Sequence, residues 1–434
     1  MICLGRDFEA LASTPFSREF EIKYGWILIL PKAGGISALH SYTFQKHLVI
    51  RTSKEFLLNL LQRLQSAGPK RILALDGGGI RGALTLGYLK RIEDILRKSH
   101  GRRDLVLADY FDLIGGTSTG AIIAAALATG MSAHEVEAIY LDFGGEVFND
   151  RQDSLGLPRL GLLRGRYNAE PLRRKLKEYF GDRTLGDSSI RTGLCIVTKR
   201  ADTNSTWPLL NHPEGRYYEK NRPILLRRAV RASTAAPTYF DPEKLNIGGG
   251  VRGAFVDGGV SLHNNPALLL FLIATLKGFP FRWPTGEGKL LLVSVGTGYW
   301  NEASSFDRVM NARLWNWASS VPSMLMDDAT WLNQLLLQYL AASPTATAID
   351  SEVGSLGDDL LGDQPALTYL RYNALLEEGA LRELGLGELA LRAEQLRDMS
   401  RAESRHDLNL IGTKAANRMV DDVHFSPKFD VRCS

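Results

Sequence analysis

Three turns in this 434-residue chain carry residue types that could do chemistry. The first reads Asp76-Gly77-Gly78-Gly79-Ile80-Arg81-Gly82. Consecutive glycines of this kind expose successive backbone N–H groups that can hold an oxyanion, and Arg81 places a fixed cation beside them. The second, Gly116-Thr117-Ser118-Thr119-Gly120, follows the run Phe111 to Ile114 and precedes the strongly helix-forming Ala121 to Ala128. A strand, a sharp turn and a helix with serine at the apex make the setting of a nucleophile elbow. The glycines tolerate the turn that pushes Oγ outward, and the Thr119 amide and helix dipole face the reacting oxygen. The third, Asp257-Gly258-Gly259, closes the run Ala254 to Val256. Its carboxylate is therefore expected at the carboxyl end of a strand, where open α/β sheets place their ligand crevice.

The elements that must position these turns follow from apolar patterning. Ile72 to Leu75 reads as a buried strand, and Leu84, Leu86, Leu89, Ile92, Ile95 and Leu96 read as the helix after the first glycine loop. Gly193 to Thr198 and Leu290 to Val295 read as further strands. Helical patterns cover Ala133 to Phe143, Ala169 to Phe180 and Ile224 to Ser233. Such alternation predicts an α/β fold with a largely parallel central sheet.

The Asp-Gly-Gly-Gly-x-Arg-Gly loop, the Gly-x-Ser-x-Gly elbow and the later Asp-Gly-Gly, in this order, resemble the patatin-like phospholipase family across roughly residues 71–298. Asn264-Asn265-Pro266 also looks like that family. The resemblance implies a patatin-like three-layer fold. It also implies hydrolysis of fatty acyl esters of phospholipids or related glycerolipids by a serine–aspartate dyad, with no metal or organic cofactor. Carried over by residue, Ser118 is the nucleophile, Asp257 its base, and Gly77, Gly78 and Gly79 the oxyanion loop, to which Thr119 contributes as the residue after the nucleophile. Arg81, Gly82, Gly116, Gly120, Gly258 and Gly259 support them. An aspartate can serve as base for serine when it lies within hydrogen-bond reach and is shielded from water, which lifts its proton affinity towards working pH.

Three competing readings attach to the same residues. Gly77, Gly79 and Gly82 satisfy a dinucleotide fingerprint, which needs an acid at the end of the next strand; Asp104 has about the right spacing but precedes that strand. A Ser-Asp-His triad would need His263, His406 or His424, and His424 has the right chain order, yet the glycine loop lacks the preceding histidine of the esterase pattern. A catalytically silent or ligand-activated lipid-binding module on this fold is the rival from another class, and intact Ser118 and Asp257 count against it.

Composition bounds the rest. With 44% hydrophobic and 23% charged residues this is ordinary globular composition, and a net charge of +4 makes no case for nucleic acid. Cys3, Cys195 and Cys433 are too few and too widely spaced for a disulfide framework or a zinc site, which points to a reducing compartment. Arg6, Asp7 and Glu9 interrupt any signal-peptide pattern, and no run approaches about 18 uncharged apolar residues. A cytoplasmic protein meeting membrane only at its surface, transiently, is expected. The chain divides into a leader with an amphipathic helix (1–70), a catalytic domain (71–298) and a mostly helical extension (299–434). In the extension, Trp315, Trp317, Met324, Leu325, Met326 and Trp331 suit either helices packed on the catalytic domain or a lid resting on lipid. Lipid class, ester position, activating ligand and oligomeric state are left open.

Overall fold

The computed structural model describes residues 21–22, 26–27, 58–147, 168–237, 239–301, 309–348, 352, 354–355 and 359–430. The chain divides into two units, Met1–Phe56 and Leu57–Ser434. In the first, β1 (Glu21–Ile22) and β2 (Trp26–Ile27) pair antiparallel.

The second unit is organised on one sheet. Its strands are β3 (Lys70–Leu75), β4 (Leu113–Thr117), β5 (Gly193–Arg200), β6 (Ser205–Leu210), β7 (Glu243–Asn246), β8 (Arg252–Asp257), β9 (Leu290–Val295), β10 (Ala341–Ala342) and β11 (Leu367–Tyr372). They lie in the order β10-β11-β9-β3-β4-β5-β8-β7, with β6 also on β5. From β10 to β5 every pairing is parallel, and β6, β7 and β8 add antiparallel ones. The central strands β3 and β9 are buried at every residue. This explains their continuous apolar runs: a parallel strand covered by helices on both faces has no solvent side to alternate towards.

Helices α1 (Gly82–Ser99), α2 (Thr119–Ala128), α3 (Ala133–Val147), α4 (Glu170–Phe180), α5 (Leu226–Ser233), α6 (Ala267–Thr275), α7 (Leu314–Leu340) and α8 (Arg405–Met419) complete a three-layer α/β fold. Residues 299–434 contain α7 and α8 and also supply β10 and β11 to the sheet. Short strands inside a stretch dominated by helical periodicity leave little sequence signal. At the C-terminal end α8 docks on α1, where Asn409 Nδ2 donates to the Ala83 carbonyl (3.1 Å).

Candidate active site

Sheet register brings the serine and the aspartate together. Thr117, the last residue of β4, pairs with Val197 of β5, and Asp257, the last residue of β8, pairs with Thr198, the next residue of β5. Because β8 runs antiparallel to β5, its carboxyl end arrives from the opposite direction and stops where β4 ends. Ser118 thus abuts Asp257 although 139 positions separate them in sequence.

Ser118 has φ 55° and ψ −122°, a backbone region a serine rarely occupies. Holding it there costs on the order of 1–3 kcal/mol. Surrounding structure enforces the turn: the Ser118 N–H donates to Ser233 Oγ (2.9 Å), and that hydroxyl donates to the Val197 carbonyl (2.6 Å). The Thr117 hydroxyl donates to the His263 carbonyl (2.6 Å).

Asp257 is 4% exposed. Burial pushes its carboxyl up to about 6, against the opposing pull of a hydrogen bond from Ser118, another from the Gly259 N–H (2.7 Å) and the charge of Arg231. A carboxylate that holds its proton more tightly than usual, in contact with a serine hydroxyl, has the electrostatics of a general base.

The glycine loop faces this pair across a set of bonds. The Gly77 N–H donates to the Asn264 carbonyl (3.0 Å), and the Gly77 carbonyl accepts from Thr297 Oγ1 (2.9 Å). Gly77 is therefore committed to holding the loop. Tyr140, buried on α3, donates to the Gly79 carbonyl (2.6 Å) and shares a short hydrogen bond with Thr119 Oγ1, so one hydroxyl ties the glycine loop to the start of α2. Gly82 leaves room for that tie, since a Cβ there would stand 2.8 Å from the Tyr140 hydroxyl. The Arg81 guanidinium lies 4.9 Å above the Trp300 ring, with Nε 3.4 Å from the Gly78 carbonyl, and burial lowers it to about 10.

The structure separates the competing residues from this geometry. Asp104 is exposed, pairs with Arg102 and precedes β4, so it does not stand at the strand end where a dinucleotide site needs its acid. Asp257 stands beside Ser118, whereas His263 braces the turn with its backbone carbonyl, and burial lowers the pKa of its imidazole. His406 is exposed on α8. His424 Nδ1 is engaged by the Tyr372 hydroxyl (2.9 Å) and the Asp421 N–H (3.3 Å). Among the described residues there is no cluster of three or more His, Cys, Asp or Glu that could hold a metal ion.

The tryptophan-rich stretch splits along α7. Its C-terminal half is packed: Leu337 is buried, Trp331 meets Tyr299 edge-on (5.7 Å), and Asn333 Nδ2 donates to the Leu262 carbonyl (2.7 Å). In the N-terminal half Trp317, Val321, Met324 and Leu325 are exposed. The Trp315 side chain lies outside the described residues. Tyr140, Ser233 and Thr297, which bond the two turns, carried no local sequence signal; Asn264 lay in a stretch that stood out.

A sequence model of the family described as patatin-like phospholipase matches residues 73–271. The chain is 31% identical over 288 residues to Patatin-17 of Solanum cardiophyllum, covering 60% of this chain and 70% of that protein. It is 32% identical over 228 residues to a cGAMP-activated phospholipase of Escherichia coli, covering 52% of this chain and 62% of the relative. A protein of the same description from Vibrio cholerae is 34% identical over 205 residues, 46% of this chain and 56% of the relative. The chain thus spans little more than half the length of these two relatives.

Proposed function

This chain belongs to the patatin-like phospholipase family, and on that footing we propose that it is a lipid acyl hydrolase working through a Ser118–Asp257 dyad. The observation that carries the reading is the buried Asp257, set by sheet register beside a serine at a positive-φ turn between strand and helix. Ser118 Oγ attacks the acyl carbonyl carbon while its proton passes to Asp257. The carbonyl oxygen, now anionic, is held by the amides of Gly78, Gly79 and Thr119; the Gly77 amide, already bonded to Asn264, is left out. Collapse expels the alcohol, which takes the proton back from Asp257, and leaves an acyl-enzyme. Water then repeats the sequence and releases the fatty acid.

Substrates of this class reside in aggregates. Among the described residues no helix is long and apolar enough to cross a membrane, so docking is peripheral. Exposed Trp317, Val321, Met324 and Leu325 recur at helical spacing and form one apolar stripe of α7. Val260 and Leu262, 44% and 64% exposed, flank the turn that carries Asp257. Replacing Trp317 and Leu325 by alanine should cut turnover on phospholipid vesicles on the order of 10²-fold or more, since each buried apolar side chain is worth about 1.5–3 kcal/mol. Turnover of a soluble short-chain ester should hold. Equal loss on both substrates would remove this surface.

The deciding assay incubates the protein with a mixed lipid extract and identifies released products by mass, with and without added cGAMP because of the relatives named for it. Released fatty acids and lysolipids or partial glycerides are expected, and Ser118→Ala and Asp257→Asn should each lower kcat on the order of 10⁴-fold or more. The double variant should be no worse than either single, because the two act as one unit. No turnover under any condition would leave a silent lipid-binding module.

A further inference from the structure

Outside the segment matched by the family model, β11 sends Arg371 into the sheet beneath the glycine loop. Its Nη1 and Nη2 donate to Asp76 Oδ1 (3.0 Å) and Oδ2 (2.6 Å), and Nη1 also donates to Ser294 Oγ (2.7 Å). The side chains of Arg371 and Asp76 are 3% and 5% exposed. Among the described residues Nε has no partner, and Asp76 and Ser294 are the ones that accept hydrogen bonds from this guanidinium. Register explains the meeting: Arg371 pairs with Ser294 of β9, which pairs with Ala74 of β3, two residues before Asp76.

Asp76 is the first residue of the glycine loop. Its own N–H donates to the Val295 carbonyl (3.1 Å). With both carboxylate oxygens gripped by a planar fork, the Asp76 side chain has one orientation available. The next residue, Gly77, is fixed on both sides by Asn264 and Thr297. Burial pushes the Asp76 carboxyl upward and Arg371 pulls it back. Without the guanidinium, a buried carboxylate at the root of the loop would be unpaired and would seek water or a proton, and the loop would move with it.

We propose that Arg371 is a positioning residue for the reaction: through Asp76 it sets the glycine loop in the place from which Gly78 and Gly79 bind the oxyanion. The inference rests on the acyl-hydrolase reading. It makes the sheet strand of the C-terminal extension part of the catalytic apparatus, 295 positions from the loop it serves.

The test uses the full chain, with a soluble short-chain ester as substrate and thermal unfolding as the control for folding. Arg371→Lys keeps the charge and loses the fork. It should lower kcat by tenfold or more with KM within about threefold, at temperatures where unfolding shows the variant fully folded. Reaction of Ser118 with a fluorophosphonate, whose tetrahedral adduct uses the same oxyanion donors, should slow in parallel. Ser294→Ala removes only the second anchor of the guanidinium and should lower kcat three- to tenfold; if Arg371→Lys does not fold, this variant decides. Combining Arg371→Lys with Asp76→Asn should cost no more than the worse single, because the two form one unit. A folded Arg371→Lys, or failing that Ser294→Ala, with unchanged kcat and labelling rate would overturn the proposal. So would kcat and KM changes that merely track the folded fraction. An inactive wild-type chain would instead sink the acyl-hydrolase reading itself.

Discussion

The nucleophile turn and the glycine loop meet at one site and are held by different means. Around Ser118 the Ser233 and Thr117 hydroxyls are backed by backbone packed directly on backbone: a Cβ at Gly116 would strike the Gly120 carbonyl, and one at Gly120 would strike the Leu75 carbonyl. The loop from Asp76 to Gly79 has backbone bonds from the Asp76 and Gly77 N–H groups, and depends besides on side chains that reach it from elsewhere, namely Arg371, Thr297 and Tyr140. Backbone atoms packed in a sheet cannot step aside, whereas side chains can rotate or shift. Damage to the first turn should therefore be all-or-none, and damage to the second should come by degrees.

The sharpest way to break that contrast is a pair of equal perturbations. Gly120→Ala forces a methyl into the β3 backbone and should cost several kcal/mol, lowering Tm on the order of 5 °C or more or preventing folding. Gly78→Ala would set its methyl 2.6 Å from Thr297 Cβ, so the loop must shift; it should lower kcat on the order of 10²-fold, the usual loss when one oxyanion donor is displaced, with a smaller Tm loss than Gly120→Ala because it strikes a side chain and not the sheet backbone. Equal Tm losses would mean that both turns are held alike.

Asp257 sharpens the comparison from the electrostatic side, since its environment favours reactivity at the expense of stability. With a base at about 6, kcat/KM should climb about tenfold per unit below pH 6 and level off above it. The stability effect runs the other way. Its folded pKa lies above the unfolded carboxylate value, so the folded state holds the proton more tightly. That contribution is fully present below about pH 4 and is lost as pH rises through about 6. Asp257→Asn should then be more stable than wild type at pH 8, by up to about 3 kcal/mol, with the advantage gone near pH 4. Thermal unfolding of both proteins across that range measures it, and a variant less stable at pH 8 would show that the carboxylate is held by more than its cost.

How far the site was legible in the sequence follows the same division. The nucleophile turn is local, with strand, glycines, serine and helix lying within about twenty consecutive residues, so patterning exposes it whole. Asp257 was legible as a strand end, but the antiparallel direction of β8 that delivers it to Ser118 was not, because a short apolar run looks the same in either direction. The glycine loop was legible as a loop, and what holds it was not. Tyr140 and Thr297 look like ordinary helix and turn residues, and Arg371 sits in a six-residue strand within a helical stretch. Even Gly77, a natural oxyanion donor on paper, is engaged by a carbonyl nearly 190 positions away.

The smallest expected effects concern the histidines, and they separate backbone from side chain within one residue. His263 braces the nucleophile turn with its carbonyl, which accepts from the Thr117 hydroxyl, and a substitution leaves that carbonyl in place. Its imidazole is expendable if Asp257 alone takes the serine proton. His424 bonds Tyr372 in a packed corner, so removing its side chain should cost about 1 kcal/mol of stability and no chemistry. His406, exposed on α8, should cost neither. All three alanine variants should keep kcat/KM within about tenfold of wild type, short of the 10²–10⁴ a general base supplies. A loss of that size in His263→Ala, with Tm unchanged, would move the base role from Asp257 to the imidazole and make the aspartate its orienting partner.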